Sequence, residues 1–291
     1  MARKQQSSRK TFPNISHEAF QAETDKKALA ALKRVPLLPL AVTKFYEIGA
    51  DRWLYCYNMA TSVRCGPKQF KSLDRCLDEC CRVLDMPKPE LYVSSNPFPN
   101  AHTGGVERPY ITIRSAIIDT LDDEQMYHLM GHELGHIKCG HVLYKSVAAV
   151  LMPILDMIAR RTLGLGDAAQ IALIAAFMEW SRQAELSADR AGLLCAQSFE
   201  LSASANLALT HGPSRLVGEA SVDAFMDQAR AYQDMDASDA LGKLLIFYLY
   251  GMNSTHPMPV HRMQELDKWY QAGHFDAIMK GRYEHVETKA S

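Results

Sequence analysis

The sequence has no apolar run long enough to cross a bilayer, no paired C-x-x-C spacing, no internal repeat and no low-complexity tract. A spanning helix needs about twenty apolar residues. The two most apolar stretches, 146–155 and 168–178, have ten and eleven residues and are separated by Asp156, Arg160, Arg161 and Asp167. Charge of either sign is not in excess: 32 basic residues stand against 33 acidic ones, a formal net charge of −1. No basic stripe interleaves with aromatic residues, which argues against nucleic acid as a partner. Arg3, Lys4, Arg9 and Lys10 near the start are not followed by an apolar core, so no secretory signal is expected. The seven cysteines are an odd number without zinc-binding pairing. They read as reduced thiols of a cytoplasmic protein, and Cys76 and Cys80 as small apolar residues on one helix face.

What is present is mainly helical periodicity, and 291 residues supply ample material for a core. Residues 1–66 are expected to form an N-terminal extension packing on a domain that occupies 67–291. Val35-Pro36-Leu37-Leu38-Pro39-Leu40 reads as an extended strap because two prolines interrupt it. Between Pro67 and Pro87, Phe70, Leu73, Leu77, Cys80, Cys81 and Leu84 recur at helical spacing. Leu91–Val93 and Tyr110–Ile113 read as strands, with a turn-rich loop from Ser95 to Gly105 between them. That loop is either a simple connection or an edge framing a cleft. The apolar stretches around 143–180 suggest a helical hairpin turning near Leu163-Gly164-Leu165-Gly166. Burial of this hairpin in protein is favoured over shallow insertion into a membrane. Further amphipathic helices are expected at 219–235, 239–251 and 260–281, with His256-Pro257-Met258-Pro259 as a rigid break.

The chemistry concentrates in His132-Glu133-Leu134-Gly135-His136. Asp122, Asp123 and Glu124 mark the start of a helix carrying Met126, Leu129, Met130 and Leu134 at helical spacing. Histidines four apart share one helix face, so His132 and His136 can offer two nitrogens to one metal ion. Glu133 then points into an adjacent cleft as a general base, the H-E-x-x-H arrangement. The helix is expected to run to about His141. On a continuing helix His141, nine residues past His132, faces the opposite way and is not taken as a ligand.

A catalytic zinc site wants a third protein ligand. Glu185 is preferred, because Asp189 one turn later could accept a hydrogen bond from a ligand histidine. Glu179 competes for the role but has no acidic residue one turn on.

These patches resemble the HtpX-type and CAAX prenyl protease family of zinc metallopeptidases, of the gluzincin type. His132–His136 with the following Ile137-Lys138-Cys139-Gly140-His141 is similar to that family's active-site helix, and Glu185-Leu186-Ser187-Ala188-Asp189-Arg190 to its third-ligand segment. Asn100-Ala101-His102-Thr103-Gly104 resembles its edge before the motif, with His102 where an aromatic is usual. Thr255-His256-Pro257 with Arg262 resembles its late motif. The resemblance spans about 67–270, in the family's order. The flanking transmembrane helices of membrane-bound members have no counterpart at the N-terminus.

The resemblance implies a mainly helical α+β fold, a gluzincin metalloprotease domain with a small sheet beside the active-site helix. It implies one zinc ion per chain, held by His132, His136 and Glu185, and polypeptide substrates. It further implies His256 as oxyanion donor, Arg262 bracing the His256 loop and Asn100 holding substrate backbone. The expected activity is that of a zinc-dependent metalloendopeptidase with Glu133 as general base. The alternative is a non-catalytic scaffold or binding protein retaining the fold. The expected location is the cytoplasm, with peripheral membrane contact as the lesser alternative.

Overall fold

In the computed structural model, residues 9–150, 168–211, 217–233 and 258–286 are described. The extended segments assemble one mixed sheet. Its strands are β1 (Val63–Arg64), β2 (Glu90–Ser94), β3 (Ala101–Gly104) and β4 (Tyr110–Arg114), in the order β1-β2-β4-β3. β2 and β4 run parallel, with Leu91 opposite Ile111 and Val93 opposite Ile113. β3 returns antiparallel on β4, pairing Ala101 with Ile113, and forms one edge. Leu91, Ile111 and Ile113 enter the main core from one face of the sheet. The stretch expected to be a loop therefore contains a strand.

Helices surround this sheet: α1 (Glu23–Lys33), α2 (Leu37–Glu47), α3 (Ala50–Thr61), α4 (Lys71–Val83), α5 (Ser115–Thr120) and α6 (Gln125–Lys138). Residues 142–150 are helical (α7). They are followed by α8 (Ala168–Ala196), α9 (Phe199–His211), α10 (Val222–Gln233), α11 (Pro259–Gln271) and α12 (His274–Met279). The result is α+β and mainly helical, with the small sheet beside α6, the helix that carries the histidine motif. α4 buries Leu73, Cys76, Leu77, Cys80 and Cys81, the spacing of a single apolar face. Phe12, Ile15 and Phe20 belong to the same core. A second cluster of Leu32, Leu38, Phe45, Val147, Phe177 and Trp180 joins α1 and α2 to α7 and α8.

Three further expectations need correction. The proline-rich segment is not a strap but opens α2: Pro36 is its N-cap and Pro39 lies in its first turn. First-turn N–H groups have no intrahelical acceptor, so a proline there loses nothing. The motif helix stops at Lys138 instead of reaching His141. Gly140 adopts a left-handed φ of +71°, the His141 N–H donates to the His136 carbonyl at 2.9 Å, and the Gly140 N–H donates to Ile137 at 3.0 Å. That pair of bonds is a Schellman ending. The last expected helix is two, α11 and α12, parted at Gly273 with φ +78°. The expected hairpin turn at 163–166 and the helix at 239–251 lie outside the described residues. Its second arm is the start of α8, which continues unbroken through Glu185 to Ala196.

Candidate metal centre

Two helices meet at the site, and small residues let them meet closely. A Cβ built on Gly135 of α6 would stand 2.7 Å from the Ala191 Cβ, and one on Gly131 would stand 2.6 Å from the Cys195 Cβ. On α8, a Cβ at Gly192 would strike the His128 ring at 2.7 Å. No side chain larger than hydrogen fits at these points without a shift. The close approach carries Glu185 and Asp189, one turn apart on α8, to the motif face of α6.

His132, His136 and Glu185 converge there, all buried, with one ligand atom of each within 4.8 Å of the others. Glu185 Oε2 lies 3.3 Å from His132 Nε2, and Oε1 lies 3.3 Å from His136 Nε2. Ligands set tetrahedrally at about 2.0–2.1 Å from a zinc ion stand about 3.3 Å apart, a spacing that each histidine nitrogen has to one of the two Glu185 oxygens. The Lys145 ammonium of α7 lies 2.9 Å from both His136 Nε2 and Glu185 Oε1, so this cradle already attracts a cation. By donor type, spacing and field, the three side chains fit a metal ion.

The far nitrogen of each imidazole is also engaged. His132 Nδ1 lies 2.9 Å from Asp189 Oδ1. Arg262 grips the same carboxylate with two nitrogens, its Nε at 2.8 Å from Oδ2. Its guanidinium thus reaches the acid one turn past Glu185, on the fold's interior side of α11. His136 Nδ1 lies 3.0 Å from His141 Nδ1, whose Nε2 lies 2.9 Å from Asp25 Oδ2. Burial would lower the basicity of His132, but the carboxylates of Asp189 and Glu185 outweigh it and raise it to about 9. His136, buried and beside the Lys145 ammonium, is pushed well below the ordinary imidazole value. Burial opposes ionisation of Asp189 as well, yet Arg262 and His132 hold it well below the usual carboxylate range.

A cleft of about 410 Å³ opens at this point, lined by Asn100, Arg114, His132, Asn206, Thr210 and Arg262 among others. Asn100 stands just ahead of β3, at the cleft rim. Glu133 is fully buried on α6, next to His132, which lines the cleft. His256 lies outside the described residues. Glu179, on the same helix, is engaged elsewhere: its carboxylate accepts from Gln183 at 2.9 Å and pairs with Arg182 on the helix surface.

Sequence reasoning missed His141, Asp25 and Lys145. The rotation that turns His141 away from the motif assumes a continuing helix, whereas the glycine just before it is a terminating signal. Asp25 sits more than a hundred residues from its partner, and no spacing links the two.

Comparison with known proteins agrees with this geometry. The pattern of Peptidase family M48 matches residues 67–270. The plastoglobule-localized metallopeptidase 48 of Arabidopsis thaliana is 29% identical over 274 residues, 92% of this chain and 77% of its own. The protease HtpX homolog 2 of Methanosarcina mazei is 23% identical over 214 residues, 66% of this chain and 70% of its own. A protease HtpX homolog of Salinibacter ruber is 24% identical over 215 residues, 66% of this chain and 72% of its own. No solved structure matches. The match over most of the length, centred on a buried His-Glu-x-x-His helix with a convergent glutamate, places the chain in Peptidase family M48, as a metallopeptidase.

Proposed function

We propose that the protein is a zinc-dependent endopeptidase acting on polypeptides, with His132, His136 and Glu185 as the metal ligands. The observation that carries this reading is the convergence of three buried side chains from α6 and α8, with one ligand atom of each within 4.8 Å of the others. A zinc ion held there would polarise the scissile carbonyl and bring the pKa of an attacking water to about 7.

The chain's own groups do the rest. Glu133 takes the proton of the attacking water and returns it to the departing amine. Its burial keeps bulk water from competing for that proton. Asp189, gripped by Arg262, accepts the Nδ1 proton of His132 and so leaves Nε2 with its lone pair toward the ligand cluster. Asn100 holds substrate backbone at the rim of the cleft, beside edge strand β3. His256 is proposed by family resemblance to donate to the developing oxyanion.

No described helix is long and apolar enough to cross a membrane. We keep a cytoplasmic location as the proposed one. Recovery of the expressed chain without detergent supports it, and recovery only with detergent refutes it.

The test of the activity is hydrolysis of casein or a quenched peptide by the purified protein, measured with zinc content and repeated after chelation. Stoichiometric zinc and chelator-sensitive cleavage are expected. A zinc-replete protein that cleaves no peptide would support the scaffold alternative instead.

A further inference from the structure

Asp25 is fully buried, lies outside the segment that matches the family, and ends a chain of hydrogen bonds that begins at a proposed ligand. It is the third residue of α1. One of its oxygens, Oδ2, receives three groups: His141 Nε2 at 2.9 Å, Ser187 Oγ at 2.7 Å and Gln21 Nε2 at 3.0 Å. Ser187 in turn accepts from the Ala22 N–H at 3.0 Å, so the start of α1 is fastened to α8 between Glu185 and Asp189.

The direction of each bond follows from what each group can do. An ionised carboxylate only accepts, so His141 donates from Nε2. A neutral imidazole then carries a lone pair on Nδ1, and His136 must donate to it from its own Nδ1. That leaves the lone pair of His136 on Nε2, which faces Glu185. The opposite end gives the same answer independently. Lys145 can only donate, and its ammonium stands 2.9 Å from His136 Nε2, which must therefore accept.

We infer that Asp25, acting through His141, fixes which nitrogen of His136 is free to bind metal, a role that rests on the metal reading above. Asp25 and His141 are positioning residues; neither touches the ligand cluster's open side. Without an acceptor at position 25, His141 is free to turn its proton to Nδ1 and donate to His136. The His136 proton then sits on Nε2, donating to Glu185 Oε1 at 3.3 Å once the Lys145 ammonium has swung aside, and no metal can bind there. The two ligand histidines are thus set by two buried aspartates, His132 directly by Asp189 and His136 at one remove by Asp25. The second comes from the N-terminal arm, which makes that arm part of the centre and not only a cover for the core.

The test compares Asp25→Asn, which keeps an acceptor oxygen where three donors converge, with Asp25→Leu, which keeps bulk and has none. Zinc affinity is read by competition with a chromophoric chelator, and folding by circular dichroism. The leucine variant is expected to bind zinc about 10–100-fold more weakly, and the asparagine variant to stay within a few-fold of the parent. Long-range ¹H–¹⁵N spectra of the metal-free parent supply a second reading that needs no variant: His141 should carry its proton on Nε2 and His136 on Nδ1. A parent protein with the reverse tautomers overturns the inference, as does a folded leucine variant that binds zinc as tightly as the parent. A parent that shows the expected tautomers yet binds no zinc overturns the metal reading and leaves the hydrogen-bond relay standing.

Discussion

Gly135 faces Ala191 so closely that a Cβ on the glycine would stand 2.7 Å from that of the alanine, with the Ala188 Cα at 3.0 Å. The obstruction is helix backbone and a rigid methyl, neither of which can rotate away. Gly135→Ala must therefore force α6 and α8 apart. Overpacking of this kind costs about 1–3 kcal/mol, and here it also draws Glu185 away from the histidines. The expected result is a lowered melting temperature together with substoichiometric zinc after dialysis. An alanine variant that melts and loads like the parent would show that the helices have slack at this crossing.

The proposed third ligand can be separated from its rival by metal content. Glu185 lies 3.3 Å from one ring nitrogen each of His132 and His136, the proposed ligands, whereas Glu179 is engaged with Arg182 and Gln183 on the helix surface. Glu185→Ala should lose most of its bound zinc on dialysis, and Glu179→Ala should keep it. Equal zinc in the two proteins would remove Glu185 from the ligand set.

How much of this arrangement was legible depends on the range of the interaction. The four-residue repeats of His132–His136 and Glu185–Asp189 place side chains by local helix geometry, so their faces could be read directly. α4 and strands β2 and β4 were readable for the same reason. Strands β1 and β3 have two and four residues and draw their stability from pairing with β2 and β4, which no local pattern reveals. The prolines of α2 misled because what matters is their place in the first turn, not their number. His141 turned on the end of a helix, and Asp25 on a contact spanning 116 residues.

Glu133 is proposed as the base, and its replacement should divide binding from turnover. Glu133→Gln preserves size and hydrogen-bonding reach while removing the group that takes a proton. General-base catalysis contributes about 10²–10⁴-fold, so cleavage of a quenched peptide should fall by that order with zinc content unchanged. A variant that cleaves at the parental rate would require another base.

Arg262 supports His132 through Asp189, and both are buried. Arg262→Met would remove the stronger of the two cationic partners of the buried Asp189 carboxylate and leave it with His132. Breaking a buried pair from one side costs about 3–5 kcal/mol. The variant should unfold at lower denaturant than the parent, and added zinc should recover part of the loss, because metal at His132 draws the Nδ1 proton toward Asp189. A melting curve identical to the parent's would show that the guanidinium is not needed to hold the carboxylate.

Lys145 makes the sharpest prediction about loading. Its ammonium donates to His136 Nε2 and Glu185 Oε1, the same atoms that are proposed to bind zinc. A metal ion and this ammonium cannot share them, so binding must displace the lysine head group toward the solvent that its side chain already partly meets. Lys145→Met removes both the bonds that must be broken and a positive charge beside an incoming cation, and the two effects have the same sign. A hydrogen bond to a charged group contributes about 1.5–3 kcal/mol, reduced here by the lysine's partial exposure. Zinc affinity should therefore rise by about three- to tenfold in chelator competition, while the metal-free protein becomes less stable to heat. Weaker zinc binding in the methionine variant would mean that Lys145 assists the loaded centre instead of holding its place.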